Sequence, residues 1–197
     1  MKQHQSIRLF KSPILEAFTH IPPYLPFIIW IPIVIWQLVL GFQTGSSAPL
    51  VVLLFAAGAF FWSFTEYGMH RFVFHFDAKS KVTKYLVFLL HGIHHDDPVD
   101  PTRLVFPPVL SIPLGYLFYT LFAAVMGVSG HPFFSGFIAG YLVYDYIHFA
   151  AHHFHPKTGW GKALKENHMK HHYIKKGGKW GVSSPFWDHV FNTFNRE

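Results

Sequence analysis

Four long apolar stretches dominate the pattern of hydrophobic and polar positions along the chain. They run from about Tyr24 to Phe42, from Pro49 to about Thr65, from about Val105 to Val128 and from Phe133 to about Ala151. A helix needs about 20 apolar residues to cross a bilayer, with a range of roughly 17 to 25. The pattern therefore predicts four membrane-spanning helices, and the fourth is the most polar because it carries Asp145 and His148 near its end.

The composition agrees with a chain that is largely surrounded by lipid. Hydrophobic residues make up 51% of the 197 residues and charged residues only 13%, whereas soluble domains carry about 25% charged residues. The length fits one domain, 1–197, and no internal repeat of fixed period is visible. We therefore expect an all-α integral membrane protein with a single domain.

Basic residues are confined to three segments of the chain. All 16 Lys and Arg residues precede the first apolar stretch, lie between the second and the third, or follow the fourth. With four crossings these segments share one side of the membrane, and the positive-inside rule makes that side the cytoplasm. The membrane topology accounts for the net charge of +6, so nucleic acid is not expected as a partner. The N-terminal segment is too interrupted by charge to be a secretory signal.

Histidine is the unusual residue of this sequence, with 16 copies. Ten of them form four clusters at ligand spacing on the predicted cytoplasmic side: His70 and His75; His91, His94 and His95; His148 and His152; His168, His171 and His172. On a helix, residues three or four apart share a face, so each cluster can aim its rings at one point. His70 and His75 are five apart, which predicts a bend or a helix end between them.

Ten imidazoles are too many for one metal ion, which takes four to six ligands, and suit two ions. Nitrogen donors fit iron, zinc, copper or nickel, so the residues alone leave the metal open. The chain has no cysteine, which excludes disulfides, thiolate sites and a cysteine nucleophile. His153 is ambiguous because it adjoins His152, and the remaining histidines are interpreted as surface or interfacial: His4, His20, His131, His155 and His189.

Two carboxylates are placed to support such metals. Metal-bound histidines usually donate their second N–H to a carboxylate or a carbonyl. Glu66 lies one turn before His70, and Asp145 lies three residues before His148. We expect Asp145 to support the metals because a carboxylate in a membrane span is costly and usually paired. Three further acidic residues are interpreted as solvated loop or helix-cap residues: Asp96, Asp97 and Asp100.

These motifs resemble the fatty acid hydroxylase superfamily of membrane-bound, histidine-rich oxygenases, and within it most closely the fatty acid 2-hydroxylases. The resemblance covers most of the chain from Glu66 onward. The segments that carry it are EYGMHRFVFH at 66–75, HGIHHDDPVDPTRLVFPP at 91–108, YDYIHFAAHH at 144–153, HMKHHY at 168–173 and GVSSPFWDHVFNTF at 181–194. The DPVDPTRLVFPP and GVSSPFWDHVF segments are typical of the 2-hydroxylase branch.

The resemblance implies four transmembrane helices with a cytosolic helical cap that carries a histidine-rich di-metal site. It implies iron as the working metal, O₂ as co-substrate, zinc as a redox-inert substitute, and hydroxylation at C2 of a free, sphingolipid-linked or ceramide-linked fatty acid. The ligands that it implies are His70, His75, His91, His94, His95, His148, His152, His168, His171 and His172. No catalytic residue beyond these ligands is expected.

The sequence also departs from the family pattern. Many relatives carry a b-type cytochrome domain before the first span, and this chain lacks the room for one. The expected electron donor is therefore a separate protein: a b-type cytochrome, a ferredoxin or a reductase. Asn192 stands where glycine is expected, and the stretch 154–167 is about one residue longer than in relatives.

Other functions remain open at this level. A sterol or carotenoid hydroxylase or desaturase of the same superfamily would share the histidine pattern. A membrane metal-binding or transport protein would place its ligands near the bilayer midplane, and a purely structural membrane protein would tolerate the loss of His94 and His171. The residues support a two-metal membrane site, whereas iron and 2-hydroxylation follow from the resemblance. The residues leave the oligomeric state open.

Overall fold

The computed structural model describes residues 5–173 and 177–195 of the chain, and these residues form helices and loops without a β-strand. The α-helices are α1 (Pro13–Ala17), α2 (Leu25–Gln43), α3 (Ala48–Gly68), α4 (Lys81–Val87), α5 (Ile93–Asp96), α6 (Pro108–Met126), α7 (Gly130–His153), α8 (Gly159–Tyr173) and α9 (Phe186–Val190). The expectation of an all-helical protein is confirmed for these described residues.

Two of the helices continue as π-helical segments, and these segments contain His70 and His91 of the predicted clusters. α3 runs on as Met69–Phe74, and α4 runs through Phe88–Gly92 into α5. The N–H of His75 donates to the carbonyl of His70 at 3.2 Å, which is the five-residue spacing of a π-helix. The predicted helix end is present at Phe74, and the wider turn keeps the two rings on one side of the segment.

Three helical stretches are long and apolar enough to cross a membrane: Leu25–Gln43, Ala48–Phe74 and Pro108–His153. The third has 46 residues, or about 69 Å of helix at 1.5 Å per residue, which is roughly twice the hydrocarbon thickness of a bilayer. Ring contacts show that this stretch folds back on itself. Phe122 lies 4.9 Å from Phe133 and Phe118 lies 4.7 Å from Phe137, so α6 and α7 are antiparallel. The chain reverses at Gly127, whose φ of 56° favours glycine.

The helix α7 lies at the centre of the molecule and packs against α2, α3, α6 and α8. Its closest neighbour is α3, and the two backbones meet where both helices carry glycine. A Cβ atom at Gly136 would lie 1.8 Å from the carbonyl oxygen of Phe55, and one at Gly58 would lie 1.9 Å from that of Phe133. Small residues allow this kind of approach in membrane helices. Thus α7, which contains the span that the sequence marks as the most polar, is the most enclosed of the described helices.

The N-terminal segment is tied to the loop between α5 and α6. The N–H of Ile21 donates to the carbonyl of Thr102 at 2.7 Å. The Arg103 guanidinium donates to Glu16 at 2.8 Å and also to the carbonyl of Ile7. These contacts hold the loop against the C-terminal half of α7, where the carbonyl of Leu104, the residue after Arg103, contacts the His148 ring.

Candidate metal centre

The ten histidines predicted as ligands lie in two compact groups of five, and no other residue joins either group within the described part of the chain. The first group is His70, His75, His91, His95 and His171; the second group is His94, His148, His152, His168 and His172. Within each group, one candidate donor atom per residue lies within 4.8 Å of all the others. Four segments that are distant in sequence therefore converge as predicted.

Neighbouring histidines of one cluster serve different groups. In each triplet the residues at i and i+4 stay together: His91 with His95, and His168 with His172, with 3.1 Å between the Nε2 atoms of each pair. The residue at i+3 belongs to the other group. Successive helix residues point about 100° apart, so one turn of helix can face two centres. The expectation that each triplet aims at a single point is therefore corrected.

The distances between the nitrogens suit ligands of one ion. The Nε2 atoms of His94 and His148 lie 2.9 Å apart, and those of His75 and His171 lie 3.1 Å apart. Metal–nitrogen bonds are about 2.1 Å long, so two nitrogens at right angles around one ion lie about 3.0 Å apart. The Nε2 atom of His70 is fully buried without a hydrogen-bond partner. A cation among these lone pairs would satisfy that atom, so the residues present fit a metal.

Backbone carbonyls orient three of the rings. The Nδ1–H of His70 donates to the carbonyl of Trp180 at 2.6 Å, and that of His171 donates to the carbonyl of Gly178 at 2.8 Å. In the second group, the Nδ1–H of His148 donates to the carbonyl of Leu104 at 3.0 Å. A carbonyl can only accept, so each of these rings carries its proton on Nδ1 and keeps the Nε2 lone pair for a metal.

The electrostatic environment keeps the histidines neutral. Burial, followed by the repulsion of neighbouring imidazoles, lowers the pKa of His75 to about 3 and that of His95 to about 4. The same two causes hold the pKa of His91, His94 and His168 well below the ordinary value. Metals bind only the deprotonated imidazole, so the site is ready for an ion at neutral pH.

Comparison with known proteins places this arrangement in a family. The sequence model of the fatty acid hydroxylase family matches residues 55–193. The chain belongs to the fatty acid hydroxylase family. The predicted resemblance is therefore confirmed. The described residues of this family member are all-helical, include three stretches long and apolar enough to cross a membrane, and carry histidine clusters that could bind metal.

Individual relatives match this fatty acid hydroxylase over nearly its whole length. A dihydroceramide fatty acyl 2-hydroxylase of Arabidopsis thaliana is 37% identical over 94% of this chain and 79% of its own. The ceramide very long chain fatty acid hydroxylase of Saccharomyces cerevisiae is 36% identical over 91% of this chain and 47% of its own. A solved structure of full-length scs7p, in which only the hydroxylase domain is visible, superposes with a TM-score of 0.89 at 36% identity, covering 95% of this chain and 72% of that one.

The carboxylates of the fatty acid hydroxylase do not hold the rings directly. Glu66 is buried and accepts hydrogen bonds from the N–H groups of Val182 and Ser183 at 2.7 and 2.8 Å. Asp145 is fully buried in α7, but the ring of His148 turns to Leu104. The expectation that the loop carboxylates are solvated is wrong for two of them, since Asp97 and Asp100 are buried. Asp96 is exposed, as predicted.

The remaining histidines lie outside both groups. His153 stacks on Phe149 at 4.5 Å, and its half-buried ring reaches neither group. His20 is less peripheral than predicted, since its Nδ1 atom lies 2.7 Å from the Thr102 hydroxyl, and His131 pairs with Gln37 at 2.7 Å. His155 and His189 are exposed, as predicted. His4 lies outside the described residues.

An apolar cavity of about 500 Å³ ends on the histidines of both groups. His91, His94 and His148 lie at its inner end, and its walls include Leu90, Leu104, Phe106, Val109 and Leu110. The N-terminal segment forms another wall with Leu9, Phe10, Leu15 and Phe18. Sequence reasoning missed this contribution; the apolar positions within the charged N-terminal segment are the only signal for it.

A second, polar cavity of about 730 Å³ opens onto other rings of the same centre. Its lining includes His75, His95, His171 and His172, together with Arg71 and Asp77. None of the three histidines that line the apolar cavity lines this one. The centre therefore separates an apolar cavity from a polar one.

Proposed function

We propose that this chain is an O₂-dependent lipid monooxygenase that hydroxylates a fatty acyl chain at C2, the acyl chain being free or linked to a sphingolipid or ceramide. The observation that carries the proposal is the apolar cavity that ends on His91, His94 and His148. A cavity of this lining fits an alkyl chain and brings one C–H bond to the histidine groups. The relatives named above act on dihydroceramide fatty acyl chains and on very long chain fatty acids of ceramide.

The proposed centre holds two iron ions, one in each group of five histidines. The donor set is entirely imidazole nitrogen, which suits iron as well as zinc. Bound iron would supply the redox chemistry that activates O₂, which side-chain acid–base chemistry does not provide; zinc would be a redox-inactive substitute. The protein would orient the rings through Trp180, Gly178 and Leu104 and would keep water from the apolar cavity.

The proposed topology has four crossings, because the stretch Pro108–His153 is a hairpin of α6 and α7. All basic segments then share one side of the membrane, which we infer to be the cytoplasmic side, with both termini and the metal centre. The segments between α3 and α6 and after α7 would form the cytosolic cap of a single domain, 1–197. Monooxygenation consumes a pair of electrons from outside the substrate, and we assign their delivery to a separate b-type cytochrome, ferredoxin or reductase.

Activity tests the chemistry directly. Protein purified in lipid nanodiscs would be loaded with iron and given a reduced donor, labelled O₂ and a ceramide or free fatty acid. We expect a 2-hydroxy acyl product with one labelled oxygen, and none from the zinc-loaded protein. Hydroxylation or desaturation of a sterol or carotenoid instead would favour the alternative enzyme class, and metal flux into vesicles without any oxidised lipid would favour a transporter.

The topology can be mapped because the chain has no native cysteine. Single cysteines at Ser47, between α2 and α3, and at Lys157, between α7 and α8, lie on opposite sides in the proposed arrangement. Both positions are exposed. In inside-out membrane vesicles, an impermeant maleimide is expected to label Lys157→Cys and to spare Ser47→Cys. The reverse pattern, or labelling of both, would contradict the proposed sidedness.

A further inference from the structure

A short loop before α9 supplies the carbonyls that orient the first group of histidines. We name residues 177–184 the carbonyl loop. Its Gly178 and Trp180 carbonyls accept the Nδ1–H groups of His171 and His70. The Trp180 indole also packs on rings of this group, with centroid distances of 4.8 Å to His75 and 5.1 Å to His171. The position of this loop therefore sets the orientation of at least two rings in the first group.

Two buried carboxylates hold the carbonyl loop. Asp188 accepts from the N–H of Trp180 through Oδ1 at 2.9 Å and from that of Gly181 through Oδ2 at 2.8 Å. Glu66 accepts from the N–H groups of Val182 and Ser183 through Oε1 alone, at 2.7 and 2.8 Å. Both side chains are almost inaccessible to solvent. Four consecutive amides of the loop are thus bound by two side chains that touch no histidine of the site by hydrogen bond.

The second group has a different anchor. Its one hydrogen bond to a backbone carbonyl, among the described residues, runs from His148 to Leu104 in the loop between α5 and α6. That loop is held by other side chains: the Asp100 carboxylate accepts from Thr102, and Arg103 pairs with Glu16. The two groups therefore share helices but not the loops that orient their rings.

We propose that Glu66 and Asp188 are positioning residues for the metal ion of the first group, and that binding of the second ion does not depend on them. This inference rests on the proposed two-metal function. Removing partners that orient metal-bound histidines typically weakens metal binding about 10- to 100-fold. Loss of either carboxylate's contacts therefore frees the carbonyl loop, releases the rings of His70 and His171, and weakens one of two sites.

The two carboxylates differ in whether the corresponding amide side chain can keep their hydrogen bonds. Glu66→Gln keeps one oxygen that can accept from both loop amides. In the wild type the Ser183 hydroxyl donates to the other Glu66 oxygen. In the variant this hydroxyl can rotate and accept from the new NH₂ group. Asp188→Asn cannot keep its contacts, because both of its oxygens accept backbone N–H groups. A role based on charge alone would treat the two substitutions alike, whereas positioning separates them.

Metal stoichiometry tests the proposal without relying on activity. The full chain, purified in detergent, would be loaded with Co²⁺, desalted and measured for cobalt per protein, with affinities from chelator competition. We expect two ions for the wild type and for Glu66→Gln, and one ion for Asp188→Asn and Glu66→Ala, with one affinity lowered 10- to 100-fold. Trp187→Phe is the matched control: it breaks the bond from α9 to Ser63 of α3 at 3.0 Å without touching the carbonyl loop, and it should keep two ions.

Double variants identify which ion is lost. Asp188→Asn combined with His75→Ala, both acting on the first group, should still retain one ion. Asp188→Asn combined with His152→Ala, which damages the second group, should retain none. Equal loss in both combinations, loss of both ions by Asp188→Asn alone, or wild-type affinities in that variant would overturn the proposal. If Asp188→Asn does not fold, Glu66→Ala against Glu66→Gln makes the same comparison. A wild type that binds no cobalt would count against the proposed two-metal function instead.

Discussion

The Nη2 atom of Arg103 lies 2.8 Å from Oε1 of Glu16, and this ion pair joins the N-terminal segment to the loop that orients His148. The Arg103 side chain is only 3% exposed, and its guanidinium also reaches Thr19 and His20. The same N-terminal segment forms a wall of the apolar cavity. One cation thus ties together the cavity wall and an anchor of the second histidine group.

Removal of this cation should destabilise the protein. Arg103→Ala removes the guanidinium from Glu16, which keeps its hydrogen bonds from the N–H groups of Leu9 and Phe10. The loss of a hydrogen bond to a charged group costs about 1.5 to 3 kcal/mol. We expect a clearly lower Tm in detergent and faster proteolysis of the N-terminal segment. Lys79→Ala is the control, since the Lys79–Asp77 pair is exposed on both sides and its loss should leave the Tm unchanged. Equal effects of the two substitutions would contradict a structural role for Arg103.

Single histidine substitutions should each remove one ion. His94→Ala acts on the second group and His171→Ala on the first, so each variant is expected to retain about half of the wild-type metal and to lose lipid hydroxylation. The exposed His155 supplies the control, because His155→Ala should keep full metal content and activity. Metal analysis after desalting measures the first result and product mass spectrometry the second. Full occupancy in either ligand variant would remove that residue from the proposed ligand set.

Acid should destabilise the metal-free protein. Burial lowers the pKa of His75 to about 3 and that of His95 to about 4, whereas an imidazole in an unfolded chain titrates near 6.5, about the free value. Between these values the unfolded chain binds more protons than the folded one, so stability falls as the pH drops below about 6.5. Thermal unfolding of chelator-treated protein between pH 7.5 and 4.5 measures this loss. A Tm that stays constant or rises on acidification would show that these rings are not buried as neutral groups.

A larger side chain in the apolar cavity should change the preference for acyl length. Leu110 lines the cavity near the start of α6, and Leu110→Trp would fill part of it. We expect kcat/KM for very long acyl chains to fall at least about tenfold relative to short chains, a loss of about 1.4 kcal/mol in transition-state binding, at unchanged metal content. Val125 is 76% exposed at the other end of the same helix, and Val125→Trp should behave as wild type. An unchanged length preference in Leu110→Trp would exclude the cavity as the acyl site.

The departure from the family pattern at position 192 should be nearly neutral. Asn192 has a φ of 53°, the left-handed conformation that glycine adopts freely and that asparagine tolerates best among other residues. Asn192→Gly should therefore leave the Tm close to that of the wild type. Asn192→Val, with a branched Cβ, should cost about 1 to 2 kcal/mol. If valine were tolerated as well as glycine, the backbone conformation would not explain the residue found there.

Much of the site could be predicted from local sequence patterns. Apolar stretches of membrane-spanning length locate the helices because hydrocarbon requires them, and the spacing of His91 with His95 places both rings on one face because the helix period is local. These features depend on residues within one or two turns of each other, so the sequence alone determines them.

The partition of the ligands was decided by tertiary structure. His94 and His95 are neighbours in sequence, yet they face different groups, because α5 lies between ring donors contributed by α7 on one side and the π-helical end of α3 on the other. The partners of the Nδ1 atoms are backbone carbonyls such as Leu104 and Trp180, which every residue type possesses, so no side-chain pattern marks them. Composition and spacing determined that histidines meet; the packing of distant segments decided which rings share a centre and what holds them.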